Sequence, residues 1–145
     1  LHLDITIEGV VMYSKGSPLK DWGFLVSQDS MDTWAKILDD PNPIHLDVNA
    51  VKLLSMGNRT INQGPANIAY IINMVEKNFP GSQIKKMNNK MTNSILEGDL
   101  VKVSGQVLKI ENKEGELLIS CSIKLTVDEE RVAVISEVDV LVQNA

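Results

Sequence analysis

One cysteine, Cys121, is the whole thiol content of these 145 residues, so the chain can close no internal disulfide and can build no cysteine-based metal cluster. Histidine is nearly as scarce. Only His2 and His45 are present, so a metal would have to be held almost entirely by carboxylates. No stretch approaches the roughly 18 unbroken apolar residues of a membrane-spanning helix, and no signal-peptide pattern opens the sequence. Positive charge is in the minority. With 14 Lys and Arg against 19 Asp and Glu, the net charge is −5 and the pI is near 5.0, which argues against a nucleic-acid partner. Lys85, Lys86 and Lys90 form the one basic cluster, and a solvated strand face accounts for it. These absences together describe a soluble cytoplasmic protein in a reducing compartment, with no membrane and no nucleic acid among its partners.

A length of 145 residues and 43% hydrophobic content suit one compact domain over residues 1–145, with a real core. No repeat, low-complexity tract or linker divides it. The first half is irregular and helical. A strand is predicted over Ile5 to Tyr13 and a short one over Trp22 to Val26, after which Ser27 offers an N-cap to a helix from about Asp29 to Leu38, with Trp34, Ile37 and Leu38 on one face. A second short helix is predicted from Asp47 to Leu54, carrying Ala50, Val51 and Leu54 at helical spacing. The main helix runs from Pro65 to Asn78. Its Ile68, Ala69, Ile71, Ile72, Met74 and Val75 leave almost no polar face, which predicts burial. Beyond Pro80-Gly81 the period shifts to two: a weak strand carrying Met87, Met91 and Ile95, then Leu100 to Ile110, Glu116 to Val127 and Arg131 to Val142, joined by tight turns. The expected class is α+β, an antiparallel sheet wrapped around one long helix.

The most informative segment is Asp40-Pro41-Asn42-Pro43-Ile44-His45. Two prolines fix φ there and push Asp40 and Asn42 toward extended conformations, so the segment forms a stiff turn that presents a carboxylate and an imidazole together. An acid/base pair needs that stiffness, because proton transfer requires groups held within hydrogen-bond reach of the substrate. The same spacing also suits a purely structural turn, in which Asp40 satisfies backbone amides and His45 braces the loop.

This six-residue run, followed by Asp47 and Ala50, resembles the hydratase signature of the MaoC-like dehydratases and (R)-specific enoyl-CoA hydratases of the hotdog fold. The resemblance extends over residues 22–142. It includes Leu25-Val26-Ser27 through Trp34-Ala35 before the motif, Asn58 to Gly64 leading into the central helix, and Glu97-Gly98-Asp99 at a later hairpin. It implies a hotdog domain and the reversible addition of water across the 2,3 double bond of an acyl thioester. Asp40 and His45 would hold the water, with their roles as acid and base left open. The backbone amide of Gly64 would receive the enolate oxygen, a task that the free amides and dipole of a helix N-terminus suit independently.

Further implications concern ligand and assembly. Asn42, Arg59 and Gln63 are candidate substrate-binding residues, although Asn42 also suits orienting the turn and Asp47 suits capping the next helix. No cofactor is implied; coenzyme A or an acyl carrier protein would carry the substrate, with Arg59 or the lysines near 85–90 meeting its charge. Met56, Ile61, Ala66 and Ile68 could line an acyl tunnel or simply fill the core. A free sheet edge and the family's habit imply a homodimer. Departures from the pattern are Asp39, where glycine is usual, Gln63, where histidine often precedes the helix glycine, and Pro65, which removes the next amide. Two other readings fit such a fold: a hotdog acyl-thioesterase, against which the intact motif speaks, and a non-catalytic acyl-thioester binding accessory subunit, which Asp39 and Gln63 favour.

Overall fold

In the computed structural model, which describes residues 13–143, five antiparallel strands form one sheet in the order β1-β3-β4-β5-β2. The strands are β1 (Trp22–Leu25), β2 (Gln83–Met91), β3 (Leu100–Lys113), β4 (Glu116–Val127) and β5 (Arg131–Gln143). The strand predicted over Ile5 to Tyr13 lies, apart from Tyr13, outside the described residues, as does His2. Residues 16–19 extend the β1 edge: Gly16 N donates to Val107 O at 2.7 Å and Leu19 N to Gly105 O at 2.8 Å.

Alternation along the long strands decides which side of the sheet is covered. The register aligns Val107, Cys121, Val138 and Met87 in one row across the sheet, and Val103, Leu125, Val134 and Met91 in another. Their neighbours along each strand, such as Ser104, Ser122, Lys124 and Glu137, point to the opposite, solvated side. The apolar side receives α3 (Gly64–Asn78), whose Ala66, Tyr70, Ile71, Met74 and Val75 are buried. Phe79 continues this core just past the helix and packs against Tyr13, the two rings tilted by 37° with centroids 4.9 Å apart. At Gly105 a Cβ would stand 2.5 Å from the Ser122 carbonyl oxygen, so no side chain fits between β3 and β4 there.

The expectation of a helix buried nearly all round is corrected. One flank of α3 faces solvent, with Ile72 42% exposed beside exposed Asn73, Glu76 and Lys77. A single five-stranded sheet is wide enough to cover only one side of a helix. The predicted helix faces also need correction. In α1 (Gln28–Leu38) the buried anchor is Met31, while Ile37 is exposed; in α2 (Val48–Leu53) it is Val51, while Leu54 is exposed. Ile95 lies beyond β2, buried in the connection to β3. None of the helices among the described residues is long and apolar enough to cross a membrane.

Candidate active site

The segment between β1 and α3 leaves the body of the fold and returns to it, and its shape is written by caps. Ser27 accepts from Ser30 N at 3.2 Å and starts α1; Asp39 ends it in the left-handed conformation, φ 49°. That conformation is the usual habitat of glycine at a helix C-terminus; Asp39 adopts it with its side chain exposed. Asp40 Oδ1 then accepts from Asn42 N at 3.1 Å, and Asn42 Oδ1 from Ile44 N at 3.2 Å, so two successive side-chain turns bend the chain around Pro41 and Pro43. A single 3₁₀ turn, Pro43–His45, follows, and Asp47 caps α2 by accepting from Asn49 N at 2.8 Å.

These bends bring the two ends of the motif together. His45 Nε2 stands 3.4 Å from Asp40 Oδ2. On the other edge of the ring, Nδ1 lies 2.6 Å from the Ile61 carbonyl oxygen. A carbonyl only accepts, so Nδ1 carries a proton and Nε2 is the nitrogen that faces the carboxylate. The imidazole is buried while the Asp40 side chain is 36% exposed, so the pair opens to solvent from the carboxylate side.

Ile61 is itself held firmly. Its amide donates to Ile44 O at 3.0 Å, and the flanking Asn62 N donates to Ile95 O at 2.7 Å. Gln28 ties α1 to this frame, donating to His45 O at 2.9 Å and accepting from Thr60 Oγ1 at 2.7 Å. Nothing in the spacing of the sequence singled out Gln28 for this clamp.

Gly64 opens α3 after Gln63, and among the described residues its amide meets no acceptor. Pro65 brings no N–H, so Gly64 and Ala66 supply the free amides of this helix end. Gly64 borders a cleft of about 330 Å³ whose walls include Ile61, Asn62, Asn67, Met91 and Ser94. Asp40 and His45 stand outside that cleft, joined to it through Ile61, whose carbonyl accepts the hydrogen bond from the histidine Nδ1–H and which also forms part of the cleft wall. A larger hollow of about 540 Å³ on the β3 and β4 side, bordered by Pro18, Gln106, Ser122 and Lys124, contains none of these residues.

The other sequence-predicted site residues have structural partners. Asn42 spends its side-chain oxygen on the turn. Arg59 Nη1 bonds the buried Asp99 at 2.8 Å and Glu97 O at 3.0 Å, while Arg131 approaches the second Asp99 oxygen at 3.3 Å. Gln63 is buried and donates to Met31 O at 2.9 Å, turned toward α1, with its Oε1 unpaired. Of the suggested tunnel residues, Ile61 borders the cleft, Ala66 is core, and Met56 is 47% exposed.

Beside Gly64 lies a polar cluster that the apolar reading of the central helix passed over. Asn62 Nδ2 donates to Asn67 Oδ1 at 2.8 Å and to Tyr70 OH at 3.1 Å, and all three residues are buried. Burial pushes the Tyr70 phenol above its ordinary pKa, and its hydrogen bonds with Asn62 and Ser30 partly oppose that. The available signal was the two asparagines that flank the start of the central helix, Asn62 just before it and Asn67 in its first turn.

No family model matches the sequence, and no curated protein matches it. Solved structures do. An R-hydratase from Pseudomonas aeruginosa superposes with a TM-score of 0.78 at 17% identity, covering 91% of this chain and 83% of that one. The (R)-hydratase of A. caviae involved in PHA biosynthesis gives 0.77 at 17%, covering 88% and 95%. The MaoC-like dehydratase of Rhodospirillum rubrum gives 0.78 at 18%, covering 100% and 98%. The chain therefore has the hotdog fold shared by MaoC-like dehydratases and (R)-hydratases.

Proposed function

We propose that this protein is a MaoC-like hydro-lyase that hydrates 2-enoyl thioesters reversibly, equivalently dehydrating (R)-3-hydroxyacyl thioesters. One observation carries the reading: the 3.4 Å approach of His45 Nε2 to Asp40 Oδ2, with the ring tautomer set by the Ile61 carbonyl. A water within hydrogen-bond distance of both atoms is polarised by two proton acceptors at once. As its oxygen bonds to C3, one of the two groups takes its proton, and the π electrons move toward the thioester carbonyl. The enolate oxygen then meets the free amide of Gly64, where a helix N-terminus favours negative charge. Collapse of the enolate with protonation at C2, by a proton that the pair returns, completes the addition.

Coenzyme A or an acyl carrier protein bears the acyl group in this reading, and no further cofactor enters. The active form is a homodimer. β2 is an edge strand, and its outer side shows Lys85, Lys86, Asn88 and Lys90 to solvent. Antiparallel pairing of two such edges joins the sheets and seats the second copy beside the cleft wall formed by Met91 to Ser94.

Loss of the conjugated enoyl absorbance on mixing with crotonyl-CoA, or with the corresponding carrier-protein thioester, tests the reading. Turnover by the wild type and its collapse in Asp40→Asn is the expected result. Release of free thiol instead would identify a thioesterase, and binding without turnover of either thioester would identify an accessory subunit.

A further inference from the structure

His45 is anchored twice, at its ring and at its backbone, and both anchors lead to the same short segment. Nδ1 donates to the Ile61 carbonyl at 2.6 Å. The His45 carbonyl, at the end of the 3₁₀ turn, accepts from Gln28 Nε2 at 2.9 Å, and Gln28 Oε1 accepts from the Thr60 hydroxyl at 2.7 Å. Thr60 and Ile61 are consecutive, so these bonds close into a ring that runs from the His45 backbone through Gln28, Thr60 and Ile61 back to the imidazole. The Gln28 amide fits this ring in one orientation. Its Nε2 also donates to Asp32 Oδ1 at 2.9 Å, and a carbonyl and a carboxylate can only accept, so the oxygen cannot take the place of the nitrogen.

The surroundings hold the ring still. Ile61 N donates to Ile44 O and Glu97 N to Thr60 O, both at 3.0 Å, and Thr60 is 5% exposed. Asp40 is tied to the end of α1 by its amide, which donates to Ala35 O at 2.9 Å, while Gln28 is the first residue of the same helix. His45 therefore meets α1 at both ends, its carbonyl at Gln28 and its Nε2 at the carboxylate two residues past Leu38. A bond at Nδ1 alone would let the residue rock about that point and carry Nε2, on the opposite edge, away from Asp40. The second bond, at the carbonyl, opposes that motion, because hydrogen bonds weaken steeply as their angles depart from linear.

We infer that Gln28 and Thr60 are positioning residues for His45: the bond between them keeps the imidazole with Nδ1–H on the Ile61 carbonyl and Nε2 turned to Asp40. Neither side chain needs to touch a substrate to do so. The consequence for rate rests on the hydro-lyase reading above, whereas the orientation and tautomer of the ring belong to the folded chain alone.

Hydrogen–nitrogen NMR correlation in a His2→Ala background, which leaves His45 as the one imidazole, reads the ring directly. At about pH 8.5, above the ordinary imidazole pKa of about 6.5, the two nitrogen shifts report which nitrogen carries the proton. With Gln28 and Thr60 intact, the shifts should be well separated with the proton on Nδ1. Gln28→Met keeps the length of the side chain and removes its hydrogen bonds, and Thr60→Val keeps the shape and removes the hydroxyl. Each should draw the two shifts together and lower kcat by about 10–100-fold, with KM changed by less than about twofold. Thr60→Ser restores the hydroxyl and should recover the separated shifts and most of the rate. Shifts that stay separated in both Gln28→Met and Thr60→Val overturn the inference whatever the rate does, since the bonds then only fasten α1 to the fold. Merged shifts in these variants, with no thioester turned over by the wild type, uphold the positioning of His45 and sink the hydratase reading instead. If Gln28→Met does not melt like the wild type, the contrast between Thr60→Val and Thr60→Ser decides by the same criteria.

Discussion

The body of the fold and the excursion that carries the candidate site are held together by different physics. In the body, residues 64–143, Ile71, Met74, Ile95, Val101, Val103 and Leu125 are completely buried, and apolar area removed from water does the stabilising. In the excursion, residues 27–63, Met31 and Val51 are the apolar side chains so deeply placed; shape comes instead from the caps at Ser27, Asn42 and Asp47 and from the Gln28, Arg59 and Gln63 bonds. Hydrophobic burial is non-directional and tolerates small displacements, whereas hydrogen bonds fix angles. Asp40 and His45 are thus placed on the directional part and supported by the non-directional part.

Changes that leave the body alone but remove the chemistry sharpen this contrast most. Asp40→Asn and His45→Ala should each lower the hydration rate by about 10²–10⁴-fold, the usual contribution of a positioned acid or base. Steady-state kinetics checks the rate, and thermal melting should show little change because neither side chain packs in the main core. Near-normal turnover in either variant would break the assignment.

The converse change is Phe79→Ala, which empties a 1% exposed aromatic site and should cost about 3–5 kcal/mol by urea unfolding. The variant molecules that remain folded should turn over at close to the normal rate. A smaller loss, about 1–3 kcal/mol, is expected for Gly105→Ala, whose methyl must displace the Ser122 carbonyl. Equal stability would mean that β3 and β4 part more readily than their register implies.

Asn42→Ala tests whether directional bonds place the dyad. Loss of this cap should cost about 0.5–2 kcal/mol locally and lower kcat more than global stability, with the Asp40 turn beside it loosened. A drop in melting temperature with unchanged kcat would assign Asn42 to stability alone.

The last effect concerns Cys121 and appears only at alkaline pH. Burial, with a lesser contribution from Asp139, pushes its thiol from 9.0 up to about 12. Because the folded state holds this proton more tightly than the unfolded state, the associated stability is present below pH 9.0 and is lost as pH rises toward 12. Wild type should therefore lose more stability than Cys121→Ala between pH 8 and 11, roughly the window set by these two values, as read by denaturant titration. Maleimide labelling of native protein should be slow at neutral pH and become fast on unfolding.

Legibility in the sequence followed the same division. Strand β4 matches its expected bounds, Glu116–Val127, and α1, α2 and α3 fall within a residue of theirs, because caps, proline and periodicity are local signals. Faces were harder. Of the expected stripe in α1, Trp34 packs on the core and Leu38 is half-buried beside the fully buried Met31, whereas Ile37 is exposed, since how much of a stripe is covered depends on where the sheet lies. Arg59 looked available for a charged carrier, and only the fold brings Asp99, forty positions away, beneath it.

The sequence by itself determined the stiff turn of residues 40–45, the helix that starts at Gly64 and the alternating strands, because each is set by neighbours along the chain. Tertiary structure decided that Asp40 meets His45 at 3.4 Å, that the Ile61 carbonyl selects the ring tautomer, and that Asn62 and Asn67 face one cleft. Those outcomes depend on how separate segments close against one another, and no local spacing encodes that closure.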